Sequence, residues 1–494
     1  MTLARSNRFP PPLRATSHWK ASICAAFALA VLGAKLWIIS RYANPTPLVD
    51  DWDAQAADLF VPYYDSTLSI GQLFAAHNEH RLFAPRVVWL VLLIANGAWD
   101  PILQMIVNAA IHVGFGVCVL AILGKDLDRL EFAVLAAATL ALVGVPNAIE
   151  NPVWCVETNY YCLLLFGFVA ITLLARESAS SARRAFGIAA ATLSFLSLAS
   201  GAFVFLACAA VVAAKRWLGV ERGRHEWAFA ALLLACSVLA MMLTPMLEAH
   251  KVYRAHSVGE FFRAFAIISG WPLSAYATAA AALVNAPWLV LAWRTLRRPP
   301  PSHDLAWVLL ALGLWNGLQF AALAFGRAFG IGATRYIDIC ALNLIVNVVC
   351  AAVLCGAGRR RLWLAGWIAV IAAGWIVQTV RHVPQELSAH YRMSLQHEAN
   401  VRAFLATGAF PPGASGTDMS IPYPITSRLE MLLSDPRVRR ILPSIFQDPA
   451  AGERDRLGGL RNGLLRAGPH LAITGLLLLV LLIFAARPLA PQSR

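Results

Sequence analysis

The chain is written as long apolar runs separated by shorter polar stretches, and the length of the runs decides its class. About 20 apolar residues in a helix cross the hydrocarbon core of a bilayer. Runs of that order recur at 21–40, 101–123, 130–145, 159–175, 185–199, 201–214, 226–244, 273–293, 305–325, 336–356, 362–380 and 469–486. The pattern predicts an all-α polytopic membrane protein with about twelve transmembrane helices. The pair 185–199 and 201–214 is divided only at Ser200-Gly201. The apolar run 87–97 is too short to span, which predicts a re-entrant or interfacial helix packed against protein.

Two stretches stay polar. The first, 41–100, follows the first predicted span and holds the short helix. The second, 381–468, reads as a helix over 385–407 ended by Gly408 and Pro411-Pro412. A further helical stretch starts near Thr426 and is broken by Pro436 and Pro443. The expected organisation is therefore a membrane domain over 1–380, a small mainly helical domain over 381–468, and a last span with its tail over 469–494. The small domain has too few apolar residues for a large core of its own and is expected to pack on the membrane domain.

Charge gives the orientation. Basic residues fall in alternate loops: Lys125 and Arg129; Arg176, Arg183 and Arg184; Lys215, Arg216, Arg222 and Arg224; Arg294, Arg297 and Arg298; Arg359, Arg360 and Arg361. The loop 146–158 carries none, whereas 245–272 carries Lys251, Arg254 and Arg263. With the positive-inside bias this predicts that both termini are cytoplasmic and that the two polar stretches face outward from a bacterial inner membrane. Arg5, Arg8, Arg14 and Lys20 precede the first apolar run and Lys35 interrupts it, which favours an uncleaved first helix over a signal peptide.

Composition agrees. The chain is 59% hydrophobic and 14% charged, with a mean hydropathy of +0.61, outside the range of soluble domains. The net charge of +14 is dispersed between apolar segments, so topology accounts for it and a nucleic-acid partner is not expected. Nine cysteines without a CxxC, eight of them in or beside apolar runs and Cys155 in a loop, argue against a disulfide framework or a thiolate zinc site.

Candidate chemistry clusters in the predicted outer segments. Asp50-Asp51-Trp52-Asp53 places three carboxylates within four residues just past a membrane helix. Such crowding raises a pKa or attracts a cation, and suits a general base or a divalent-metal ligand; a solvated acidic loop is the competing reading. His77-Asn78-Glu79-His80-Arg81 follows. If helical, His77, His80 and Arg81 share a face, suited to substrate contact more than to metal ligation. Arg327 and Arg335, with Tyr336, bracket a glycine-containing turn that suits a phosphate or, alternatively, lipid headgroups. Glu150, Trp154, Glu157 and Tyr160 can line a sugar cleft or form an interfacial belt. Lys35, Asn108 and His112 lie inside predicted spans, where Lys35 either serves function or snorkels to the headgroups.

One helix, a long outer loop opening on an acidic pair, a short juxtamembrane helix led by Pro85-Arg86, the Asn96-Gly97-Ala98-Trp99 break and many further spans resemble the GT-C superfamily of membrane glycosyltransferases. The resemblance covers roughly 20–380 as architecture, and Asp50-Asp51 is its specific motif. It implies a polyprenyl-phosphate sugar as donor, a glycan, lipid or protein as acceptor, Asp50 or Asp51 as base, and cationic groups such as Arg327 and Arg335 for the departing phosphate. It leaves room for a divalent cation without requiring one. The remaining readings are a transporter or flippase of lipid-linked saccharides, although no internal repeat is visible, and a non-catalytic scaffold of polysaccharide assembly.

Overall fold

The structure, a computed structural model, describes residues 13–176, 180–274, 277–355, 360–447 and 455–485, without the side chains of 13–17, 360, 361 and 485. Arg5, Arg8 and Arg359, the side chains of Arg14, Arg360 and Arg361, and the end of the last predicted span at 486 lie outside the described residues.

Among the described residues the chain is helical, apart from a two-stranded ladder pairing Ala76–His77 with His80–Arg81. Ten helices are long and apolar enough to cross a membrane: those beginning at His18, Pro101, Cys155, Ala199, His225, Ala277, Leu305, Thr334, Leu362 and Gly458. The predicted spans at 130–145 and 185–199 are helices too, Arg129–Gly144 and Ser181–Phe195. They have 16 and 15 residues, roughly 24 and 22 Å at the helical rise, short of the ~30 Å hydrocarbon core. The expected twelve is thus ten long helices and two short ones. Phe83–Asn96, at 14 residues, is likewise too short to span.

Local signals set the boundaries. Asp100 caps Pro101–Leu123 by accepting from the Leu103 N–H, with Pro101 in the first turn, where a missing N–H costs nothing. Asp128 and Glu131 form a reciprocal capping box at the start of Arg129–Gly144. Gly97 ends Phe83–Asn96 in the left-handed region at φ 79°.

The first and last long helices pack face to face where glycine permits it. A Cβ on Gly33 would lie 2.1 Å from the Ala472 backbone nitrogen, and one on Gly475 2.2 Å from that of Ala30. Small residues of this kind let helix backbones approach closely in lipid.

The loops sort onto two faces. On one, Lys20 Nζ donates to the Gly124 and Leu127 carbonyls, Lys215 Nζ donates to those of Arg176 and Ser302, and Arg176 meets Asp126. These belong to the basic loops, so the alternation of charge in the sequence becomes a segregation in space. The other face carries the first polar loop and residues 408–447, which build a common core of Trp52, Phe60, Trp89, Trp99, Phe404 and Leu433 among others. The expected packing of the second polar segment is therefore onto the first loop. Its leading helix does not start at 385. Arg360–Thr407 is one helix of 48 residues with Pro384 inside it, so the boundary drawn at 380/381 falls within a continuous rod. Pro436 opens the Pro436–Ile441 helix as its first residue as well as ending the previous one.

Candidate functional site

The acidic motif forms the start of a wide, π-type helix, Asp51–Phe60, and its three carboxylates point three ways. Val49, with φ 45°, is held by donating its N–H to the Pro422 carbonyl at 2.8 Å. A β-branched residue in that region is strained and is retained only where its surroundings demand the turn. Here the turn aims successive aspartates apart.

Asp51 is 1% exposed. Its carboxylate accepts from the Leu48 N–H at 2.9 Å, Gln55 Nε2 at 2.8 Å and Trp154 Nε1 at 3.1 Å. The network continues inward: Gln104 Nε2 donates to Gln55 Oε1 at 2.9 Å. Nearby, Trp89 Nε1 donates to Thr158 Oγ1 at 2.8 Å, and that hydroxyl donates to Asn108 Oδ1 at 2.7 Å. Burial lifts the Asp51 carboxyl to about 7, against the pull of its hydrogen bonds and with the charge of Asp50 adding to the rise. Asp53 points toward residues 423–428 and pairs with Arg428 Nη2 at 2.6 Å, while the Tyr423 hydroxyl also donates to it. Asp51-Trp52-Asp53 thus has the DxD form without convergent carboxylates.

Asp50 is the open one, with a side chain 36% exposed. His77 Nε2 lies 3.3 Å from its Oδ1, and Asn78 Nδ2 donates to the same oxygen at 3.4 Å. On its other side His77 Nδ1 stands 3.9 Å from Asp58, which Arg86 approaches at 3.6 Å. Fully buried Arg86 also donates through Nη1 to the carbonyls of Gln72 and Ala75, at 2.8 and 2.6 Å, holding the hairpin from beneath. Burial alone would raise the Asp50 pKa, but His77 and Arg335 outweigh it and hold it below the usual carboxylate value. Burial alone would depress His77, but Asp50 and Asp58 outweigh it and lift its pKa to about 9. The two groups form an ion pair at neutral pH.

The His77–Arg81 segment is a hairpin and not a helix, because Asn78 takes the left-handed region at φ 50°, which asparagine tolerates. The expected shared face is therefore lost, and each side chain goes its own way. Arg81, expected as a substrate contact, donates to the Leu243 and Phe74 carbonyls, both at 3.0 Å, and ties loops together. His80 accepts from the Ala199 N–H at Nδ1, 3.3 Å away, which puts its own hydrogen on Nε2. Burial pulls its pKa to about 4 despite the charge of Glu79, so the ring is neutral. Glu79 accepts from Arg327 Nη2 at 3.0 Å and also binds His250 Nδ1.

Glu79 and His80 form one wall of a cavity of about 460 Å³, within the range of small-molecule sites. Its polar rim adds Arg254, Arg327, Tyr160 and Tyr336; its remaining walls are mostly apolar, from Leu198, Phe203, Met241, Leu323 and Phe325. Arg327 and Tyr336 therefore join Glu79 and His80 here. Arg335 stands apart, paired with Glu150 at 3.2 Å, with Thr334 Oγ1 donating to the same carboxylate at 3.1 Å. It still acts on Asp50 electrostatically. Lys35 does not snorkel: it is 4% exposed and lies over the Tyr161 ring at 5.6 Å, within the electrostatic reach of Asp338.

Three residues that contact the candidate site residues escaped the sequence reading: Asp58, Arg86 and His250. Asp58 and Arg86 lie 28 residues apart, and their pairing depends on a short apolar helix folding back. His250 sits in the predicted outer loop 245–272, whose Lys251, Arg254 and Arg263 run against the positive-inside bias, and that irregularity was the available signal.

Among the described residues no group of three or more His, Cys, Asp or Glu side chains is placed to share a metal ion. His77 lies between Asp50 and Asp58, where a cation bridging those carboxylates would sit. The donor set among the described residues does not fit a divalent cation. The chain matches no family model, no curated protein and no solved structure.

Proposed function

We propose that the protein is an inverting GT-C-type glycosyltransferase of a bacterial inner membrane. In this reading the acidic loop and the cavity face outward and both termini are cytoplasmic. The donor is a polyprenyl-phosphate sugar, and the acceptor hydroxyl belongs to an envelope glycan, lipid or protein. The observation that supports this best is the position of Asp50: a partly exposed carboxylate held by His77 and Asn78 of the hairpin whose next residues, Glu79 and His80, wall the cavity of about 460 Å³ beside two arginines.

The reaction asks three things of these residues. The acceptor O–H attacks the anomeric carbon as the bond from that carbon to the phosphate oxygen breaks, so the sugar inverts and polyprenyl phosphate departs with the electron pair. Asp50 takes the hydroxyl proton as the new C–O bond forms, when that proton is far more acidic than in the free alcohol, so a base of low pKa suffices. Arg327 and Arg254 offset the charge developing on the leaving phosphate. The apolar walls hold chain. Asp51 is the motif's anchor and takes no part in proton transfer.

The test is release of undecaprenyl phosphate from a panel of undecaprenyl-phosphoryl sugars by the purified protein in nanodiscs containing bacterial membrane lipid. The wild type should release it and Asp50→Asn should not. A transporter would move the donor without cleaving it, and a scaffold would be indifferent to the substitution; either result overturns the proposal.

A further inference from the structure

One of the groups lining the cavity is a carboxylate, in a site that the proposed reaction gives to phosphate. Arg254 and Arg327 supply two positive charges, since a guanidinium keeps its proton; Glu79 supplies one negative charge, and His80 is neutral. Arg327 Nη2 donates to Glu79 Oε2 at 3.0 Å, and His250 Nδ1 meets the other carboxylate oxygen. Burial alone would raise the Glu79 pKa, but His250 and Arg327 outweigh it and hold it below the usual carboxylate value, so the group keeps its charge. Arg254 has no carboxylate partner among the described residues, and its Nη2 donates to the Leu247 carbonyl at 3.4 Å.

Transfer changes the charge of what the cavity holds. A polyprenyl-phosphoryl sugar is a phosphodiester with one negative charge. When the bond from the anomeric carbon to the phosphate oxygen breaks, its electron pair stays on that oxygen and the proton of the acceptor hydroxyl passes to Asp50. The product is therefore a phosphomonoester, whose second pKa of about 6 leaves it nearly two negative charges above neutrality. Two arginines alone would hold that product more tightly than the donor, and turnover would stall on it. A fixed negative charge beside one of them acts about twice as strongly on the product as on the donor, because the Coulomb energy scales with each charge.

We propose that Glu79 makes the cavity discriminate against the second charge of phosphate, so that the donor is admitted and polyprenyl phosphate is let go. In this role Glu79 sets specificity, while Arg254 and Arg327 remain the groups that meet the phosphate. The proposal rests on the transfer reading for its use of the two lipids, and on the charges of the cavity alone for the discrimination itself.

The test compares two lipids with one chain and different charge: undecaprenyl phosphate and its methyl phosphodiester. Their binding to the full-length protein in nanodiscs at about pH 8, where the monoester is fully ionised, is read by equilibrium titration without turnover. Glu79→Gln should raise the affinity ratio of monoester to diester about ten-fold or more, the order expected of one unit charge removed from a partly buried site. Arg254→Gln should lower the same ratio. A Glu79–Arg327 pair that only ties two loops together would weaken both lipids alike in Glu79→Gln and leave the ratio unchanged, which overturns the proposal. Glu79→Ser makes the same charge change with a smaller side chain, and serves where Glu79→Gln folds poorly. A raised ratio in a protein whose wild type transfers no sugar upholds the discrimination and overturns the transfer reading; transfer by the wild type with an unchanged ratio overturns the role of Glu79 alone.

Discussion

Asp50 and Asp51 are adjacent in the chain and belong to two different regions of the molecule. Around Asp51 every donor is a fixed part of the fold: a backbone N–H, an indole and a glutamine amide, all sealed from solvent. Around Asp50 the partners are a histidine and an asparagine on a hairpin, and the carboxylate keeps a third of its surface open. A group whose hydrogen-bonding capacity is filled by rigid neighbours can anchor a loop but has no room for a substrate hydroxyl. A group held on one side and open on the other can do chemistry. Composition and spacing treat the two as equivalent, and the surroundings separate them.

The sharpest way to break this comparison is Asp50→Asn. The loss of a general base should cost about 10²–10⁴-fold in transfer, with thermal stability unchanged. Asp51→Asn should do the reverse. Its amide would turn a donor toward the groups that now donate to Asp51, which costs about 1–3 kcal/mol for a buried mismatch. Equilibrium unfolding should shift accordingly, while the molecules that remain folded keep most of their activity. If Asp51→Asn abolished transfer at full stability, the roles assigned here would be exchanged.

A smaller effect separates the regions by pH. The folded pKa of His77, about 9, exceeds its ordinary 6.5. Its ion pairs therefore stabilise the fold fully below about pH 6.5 and are lost as pH rises through 9. The Asp51 pKa is raised as well, to about 7 from 3.8, so stability also falls with pH on its account, but between those lower values, and its contribution is constant above them. From about pH 6.5 to about pH 9 the wild type should lose thermal stability and level off above that, and His77→Gln should lack that component. The same fall over that window in both proteins would remove His77 from the account.

How much of this was legible beforehand follows from the range of each interaction. The helices were legible because apolar run length is local, and the caps at Asp100 and Asp128 and the stop at Gly97 are read from a few residues. The runs 130–145 and 185–199 were already short in the sequence, and the helices formed there, Arg129–Gly144 and Ser181–Phe195, are of the same length. The hairpin at 76–81 was not legible: the shared face of His77, His80 and Arg81 held only if the segment were helical, and the left-handed turn at Asn78 rules that out. Arg327 was legible as a cation out of place; its partner Glu79 is 248 residues away and was not. The division of labour between Asp50 and Asp51 was beyond reach, since it depends on Trp154, Gln55 and the Val49 turn acting together.

The third carboxylate gives the smallest and most exacting test. Asp53 ties the first loop to the 408–447 segment through Arg428, whose side chain is 34% exposed. An ion pair open to solvent to that degree is screened, and its measured worth is typically about 0.2–1 kcal/mol. Arg428→Gln should therefore shift unfolding by no more than about 1 kcal/mol and leave transfer within about two-fold, because the two segments also share the core of Trp52, Phe60 and Leu433. A double-mutant cycle with Asp53→Asn isolates the pair from that core. A coupling near zero would mean that apolar packing alone seats the second segment. A loss of transfer at unchanged stability would mean that the 423–428 region borders the reacting groups, and then Asp53 would belong with Asp50 and not with Asp51.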